Sequence, residues 1–188
     1  MSRDSSLPLI MKAIHHAAGK HKNQARKGLE RAPYINHPIE VAFFLSEYAG
    51  IDDPEVLAAA ILHDVLEDTD TRAKEIEEEF GKRVRSLVEE LTDDKELAKE
   101  VRKRKQVEHA HALSEEASQI KIADKLSNIG DISDSPPAGW NLERRMAYLD
   151  WSEEVVDKLQ NKDPNLESVY RQRLADSRNK LEAEMAKN

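Results

Sequence analysis

The chain contains no cysteine, which rules out disulfides, zinc thiolates, iron–sulfur clusters and thiol nucleophiles. Any bound metal must therefore be held by nitrogen and oxygen. Glycine is scarce, with six in 188 residues, and aromatic residues make up only 5%. Both shortages count against a β-sandwich, which needs many tight turns and aromatic-rich strands. Long apolar runs are missing as well. No segment could span a bilayer, and residues 1–11 are too poor in apolar and basic residues for a secretory signal. The expectation is a cytoplasmic protein with no membrane partner. Nor is there an excess of positive charge: the formal net charge is -8, which argues against a general nucleic-acid binder, because backbone affinity needs clustered Lys and Arg.

What the chain does have is charge, 35% of all residues, a profile that suits many exposed helix faces. The expectation is an all-α fold in one domain over residues 1–188, with a core of about 8–160 and a C-terminal helix of about 165–186. Helix punctuation supports this. Asp53-Pro54 places an N-cap before a first-turn proline and opens the apolar run through Leu62. Residues 72–80 form an amphipathic pattern that Gly81 stops, and a second helix follows over 82–91. The Lys-, Arg- and Glu-rich stretch 95–110 reads as a solvated helix or mobile connection. A broadly apolar helix is expected from Ser114 through Ile129, a breaker at 133–139, and further helices over 142–159 and from Leu166. The breaker is read as a crossing within one domain. Nothing in the pattern specifies an oligomeric state.

The chemistry concentrates at the end of the first apolar helix, in His63-Asp64-Val65-Leu66-Glu67-Asp68. On one continuous helix His63, Asp64, Glu67 and Asp68 would form a single stripe. Three acids and an imidazole at the end of a buried helix are unfavourable through desolvation and repulsion unless a cation gathers them. His37 precedes Pro38, which restricts the backbone before it and can fix the direction of the imidazole. Asp124 sits inside an apolar helix, where it reads either as a ligand or as an acceptor paired with Lys121 or Lys125. Together His37, His63, Asp64 and Asp124 suit Mn²⁺, Fe²⁺ or another borderline-to-hard divalent ion, with Zn²⁺ open as well. Glu67 and Asp68 are then free to orient or deprotonate an attacking water. Lys99, Arg102 and Arg104 offer phosphate contacts or a solvated charged face.

Several separated blocks occur in one order: Ala25-Arg26-Lys27, Pro33-Tyr34-Ile35-Asn36-His37-Pro38, Ile61-Leu62-His63-Asp64-Val65-Leu66-Glu67-Asp68-Thr69, Leu91-Thr92-Asp93-Asp94-Lys95 and Lys121-Ile122-Ala123-Asp124-Lys125-Leu126-Ser127-Asn128. In these the chain resembles the HD-domain hydrolases, specifically the hydrolase domain of RelA/SpoT homologues and the stand-alone small alarmone hydrolases. Asn36-His37-Pro38, Thr92-Asp93-Asp94-Lys95 and Gly139-Trp140 also fit the short metazoan-type branch. The resemblance implies an all-α HD-domain bundle whose His37, His63, Asp64 and Asp124 bind Mn²⁺. It implies that Glu67 and Asp68 activate water to release the 3′-pyrophosphate of guanosine tetra- or pentaphosphate, yielding GDP or GTP. Arg26 and Lys27 would meet the base and Asn128 the nucleotide, while Arg144 and Tyr148 would lie near its phosphates and sugar.

Gly28 and Asp131 depart from the serine and threonine usual in the long bifunctional members, and both fall near the implied base pocket. An adenine-containing alarmone therefore stands beside the guanine one. Removal of the 2′-phosphate of NADPH is a second enzymatic alternative, and an alarmone-binding sensor is the non-enzymatic one. The chain is expected to hydrolyse without synthesising, with a small-molecule nucleotide as its partner.

Overall fold

The computed structural model describes residues 6–28 and 30–187; the first five residues used in reading the N-terminus lie outside them. In chain order the α-helices are α1 Ser6–Lys20, α2 Asn36–Tyr48, α3 Pro54–Leu62, the single turn α4 Val65–Asp68, α5 Ala73–Phe80, α6 Lys82–Leu91, α7 Lys99–His109, α8 Glu115–Asp134, α9 Leu142–Lys158 and α10 Pro164–Met185. A short 3₁₀ turn, Ala110–Ala112, follows α7. Among the described residues the only β-type pairings are two isolated bridges, Ala25 with Pro33 and Gly28 with Pro137. The all-α expectation holds. No described helix is long and apolar enough to cross a membrane.

Two helices form the interior. In α3 the Asp53 side chain accepts the Glu55 N–H at 2.9 Å, and Pro54 opens the first turn. Every residue from Val56 to Leu62 is then buried, where each large aliphatic side chain contributes roughly 1.5–3 kcal/mol of transfer free energy. In α8 the Ser114 hydroxyl accepts the Ala117 N–H at 3.2 Å, and residues 117–127 are all buried. This helix is enclosed by α2, α6, α9 and α10, while α3 packs on α1, α2 and α6. The helix α2 thus touches both interior helices, and the site forms where it meets them.

Three local expectations change. Helix α3 stops at Leu62, His63 caps it, and Asp64 sits at φ -97° and ψ -5° before α4 begins; the acids therefore do not share one continuous stripe. His37 and Pro38 lie inside the first turn of α2 rather than in a turn before it, which a proline tolerates because first-turn N–H groups have no helical partner. Helix α8 runs five residues past Ile129. Its last turn is held by Asp134, which pairs with Arg173 and, at 2.9 Å, with Lys180 of α10. The charged stretch before it does form a solvated helix, since α7 has no buried residue.

Candidate metal centre

His37 comes from α2, His63 and Asp64 from the α3–α4 junction, and Asp124 from the middle of α8. The His37 Nε2 atom lies 3.6 Å from Asp64 Oδ2 and 3.3 Å from Asp124 Oδ1. The His63 Nε2 atom lies 3.1 Å from Asp64 Oδ2 and 3.9 Å from Asp124 Oδ1. Each imidazole is tied at its other nitrogen: His63 Nδ1 meets the Ala60 carbonyl at 2.7 Å and His37 Nδ1 meets Ser127 Oγ at 2.8 Å. A carbonyl only accepts, so His63 carries a proton on Nδ1, which leaves Nε2 as the ring atom that can face a cation. That Nε2 is buried and has no hydrogen-bond partner among the described residues.

The electrostatics call for positive charge at this point. Burial alone would lower the His63 pKa, but the Asp64 and Asp124 carboxylates outweigh it and push it up to about 9. Asp64, which burial alone would raise, is held well below the usual carboxylate range by His63 and His37. Asp124 is likewise held down against burial by Lys125 and His37. His37 is lowered by burial, with Arg26 adding repulsion. Ligand-type atoms of His37, His63 and Asp124 lie within 4.8 Å of one another. Two imidazole Nε2 atoms facing two carboxylates fit a divalent cation of nitrogen and oxygen preference. Of the four residues expected from the sequence, Asp64 closes the set through its contacts with both imidazoles and also accepts the Tyr34 hydroxyl at 2.6 Å.

Glu67 and Asp68 border the same cavity, about 310 Å³ in volume, together with His63, Asp64 and Asp124. Glu67 accepts from Arg102 at 3.1 Å and from the Asp93 N–H at 3.2 Å. Its pKa is raised by burial and by the facing Asp93 carboxylate. Asp68 pairs with Lys95 and receives the Tyr34 hydroxyl at 3.4 Å.

Arg26 donates to Asp131 at 2.7 Å and to Asn128 at 2.9 Å, and Asn128 in turn donates to Asp124 at 2.6 Å. One turn of α8 thereby fixes the guanidinium beside the centre. Lys27 and Tyr148 line the cavity. Arg144 does not; it is exposed and stacks 4.2 Å from the Trp140 ring, which does line it. Lys99 and Arg102 face the cavity, whereas Arg104 is an outward residue near Glu108. Lys103, Gln106 and Trp151 also line the cavity, none of them singled out from the sequence, while Lys125 is the partner of Asp124 that its position in the helix allowed. Lys103 lies 4.8 Å from the Trp151 ring, and buried Lys125 lies 4.2 Å from it and 3.4 Å from Asp124. The available signal was spacing: Lys99 and Lys103 are one turn apart on α7, as Tyr148 and Trp151 are on α9.

A model described as HD domain matches residues 13–148. A Xenopus tropicalis protein, guanosine-3′,5′-bis(diphosphate) 3′-pyrophosphohydrolase MESH1, is 50% identical over 167 residues, covering 89% of this chain and 92% of its own length. The human protein of the same name is 49% identical over 162 residues, covering 86% and 90%. A solved structure described as a metazoan ortholog of SpoT that hydrolyzes ppGpp superposes with a TM-score of 0.86 at 45% identity, over 89% of this chain and 94% of that one.

Proposed function

Since the chain belongs to the HD domain family, we propose that it hydrolyses the 3′-pyrophosphate of guanosine tetra- and pentaphosphate, releasing pyrophosphate and GDP or GTP, with Mn²⁺ held by His37, His63, Asp64 and Asp124. The observation that carries this reading is the convergence of four donors, between 3.1 and 3.9 Å apart in their closest pairs, beside a cavity with acidic and basic walls. A divalent ion there supplies Lewis acidity toward phosphate and makes water more acidic. The chain's own groups do the rest. Glu67, with its raised pKa, is suited to accept the proton of the attacking water. Asp68, held by Lys95 and Tyr34, orients that water.

The bond that breaks joins the ribose 3′-oxygen to phosphorus; the sugar oxygen gains a proton and pyrophosphate leaves with the oxygen of water. Lys99, Lys103 and Arg102 lie along the cavity to offset phosphate charge. Arg26 spends its hydrogen bonds on Asp131 and Asn128, which leaves the plane of the guanidinium to stack on a base. Stacking reads a ring face rather than an edge, so the adenine analogue is a necessary arm of the test. Purified protein with Mn²⁺ is incubated with the guanosine and adenosine 3′-pyrophosphorylated nucleotides and with NADPH, and all products are resolved by chromatography. Pyrophosphate with GDP is the expected result. Orthophosphate from NADPH with no pyrophosphate from any nucleotide overturns the reading.

A further inference from the structure

Helix α8 grips the His37 imidazole at both nitrogens. Asp124 Oδ1 lies 3.3 Å from Nε2, and Ser127, three residues on, places its Oγ 2.8 Å from Nδ1. The Ser127 hydroxyl also donates to Glu40 Oε2 at 2.6 Å, and Glu40 stands on α2 three residues after His37. We infer that Glu40 and Ser127 form a positioning relay that fixes the tautomer and orientation of His37 for metal binding. The inference rests on reading the four donors as a metal centre.

The argument is one of proton counting. A serine hydroxyl has one proton, and an ionised glutamate can only accept. With that proton committed to Glu40, Ser127 Oγ can only accept from His37, which places the imidazole proton on Nδ1 and leaves the Nε2 lone pair facing Asp64 and Asp124. His63 needs no such device, because the Ala60 carbonyl of its own helix performs the task. His37 alone among the two imidazoles depends on side chains for its tautomer. Ser127 is buried, at 3% exposure, while Glu40 is exposed. Neither borders the 310 Å³ cavity; Glu40 and His37 instead line a second one of about 220 Å³, which shares Arg26 and Asp131 with the first. Substitutions in the relay therefore act through His37 on the ion and remove no side chain from the wall of the larger cavity. Groups of this kind typically change metal affinity by about 10–100-fold.

The experiment is calorimetric titration of Mn²⁺ into metal-stripped wild type, Ser127→Ala, Glu40→Ala, Glu40→Gln and the double alanine variant, with thermal melts to verify folding. Ser127→Ala is expected to weaken binding by about 10–100-fold, and Glu40→Ala by a smaller factor. The double variant should bind no more weakly than Ser127→Ala, because Glu40 acts only through the serine. Glu40→Gln, which keeps an acceptor oxygen, should restore affinity close to wild type, and at saturating Mn²⁺ KM for nucleotide should be unchanged in every variant. Wild-type affinity in Ser127→Ala overturns the relay. So does a double variant whose loss equals the product of the single losses, or a Glu40→Gln as weak as Glu40→Ala. Glu40 is exposed, so its variants keep the test decisive if the buried serine variant fails to fold. Absence of Mn²⁺ uptake by wild type removes the metal centre itself, a result distinct from failure of the relay.

Discussion

Glu67 is where turnover and metal uptake should separate. It touches Arg102 and the Asp93 backbone and none of the four donors, so Glu67→Ala should retain Mn²⁺ binding while kcat falls by about 10²–10⁴-fold; calorimetry beside initial rates checks this, and equal metal loss would move Glu67 into the coordination set. Its pKa is raised above the ordinary glutamate value by burial and by Asp93, and a proton acceptor works only when ionised. Activity should therefore be lost as pH falls through that raised value. Asp93→Asn removes the repulsion, lowers the Glu67 pKa and should shift the acid limb of the kcat profile to lower pH at saturating Mn²⁺. An unmoved limb would assign the titration to another group. At this scale the sequence showed the groups whose chemistry is conspicuous. His37, His63, Asp64, Asp124, Glu67 and Asp68 stood out because acids and imidazoles beside apolar runs need a reason to be there. Lys125 was legible only as one of two possible partners of Asp124, since its contacts with Gln106 and Trp151 are set by α7 and α9 packing around it.

Elements were legible where the signal is local. Asp53-Pro54 marked the start of α3, and Asp163-Pro164 carries the same cap, accepting the Asn165 and Leu166 N–H groups at 2.9 Å and starting α10 two residues before the expected Leu166. The end of α8 was not legible, because its last turn is decided by Arg173 and Lys180 on another helix. Nor was the link between the Arg26 loop and the crossing after α8. There Gly28 bridges to Pro137, and a Cβ on Gly28 would lie 2.5 Å from both the carbonyl oxygen and the hydroxyl of Ser135. Gly28→Ala should push the two segments apart and carry Arg26 away from Asp131 and Asn128. KM should rise by about 10-fold, the equivalent of roughly 1.4 kcal/mol, with Mn²⁺ affinity unchanged. Initial-rate kinetics test this, and a KM equal to wild type would separate the loop from nucleotide binding.

At the scale of the whole molecule, the order of the motif blocks foretold an all-α fold, but only packing reveals that α2 and α6 both touch the two interior helices and that α2 brings His37 to them. That position makes the proposed ion a cross-link between distant stretches of a chain that has no cysteine. Mn²⁺ at 100 times its dissociation constant should stabilise the fold by about 2.7 kcal/mol and raise Tm by about 5–11 °C; melts with and without chelator measure it, and identical curves would mean that the ion ties nothing together. A different consequence follows from the aromatic wall of the cavity. Trp140 and Trp151 are the only indoles in the sequence, and both stand in that wall. The tryptophan emission of this protein therefore originates at one place, and an arriving ligand can be followed by its quenching without attaching a dye.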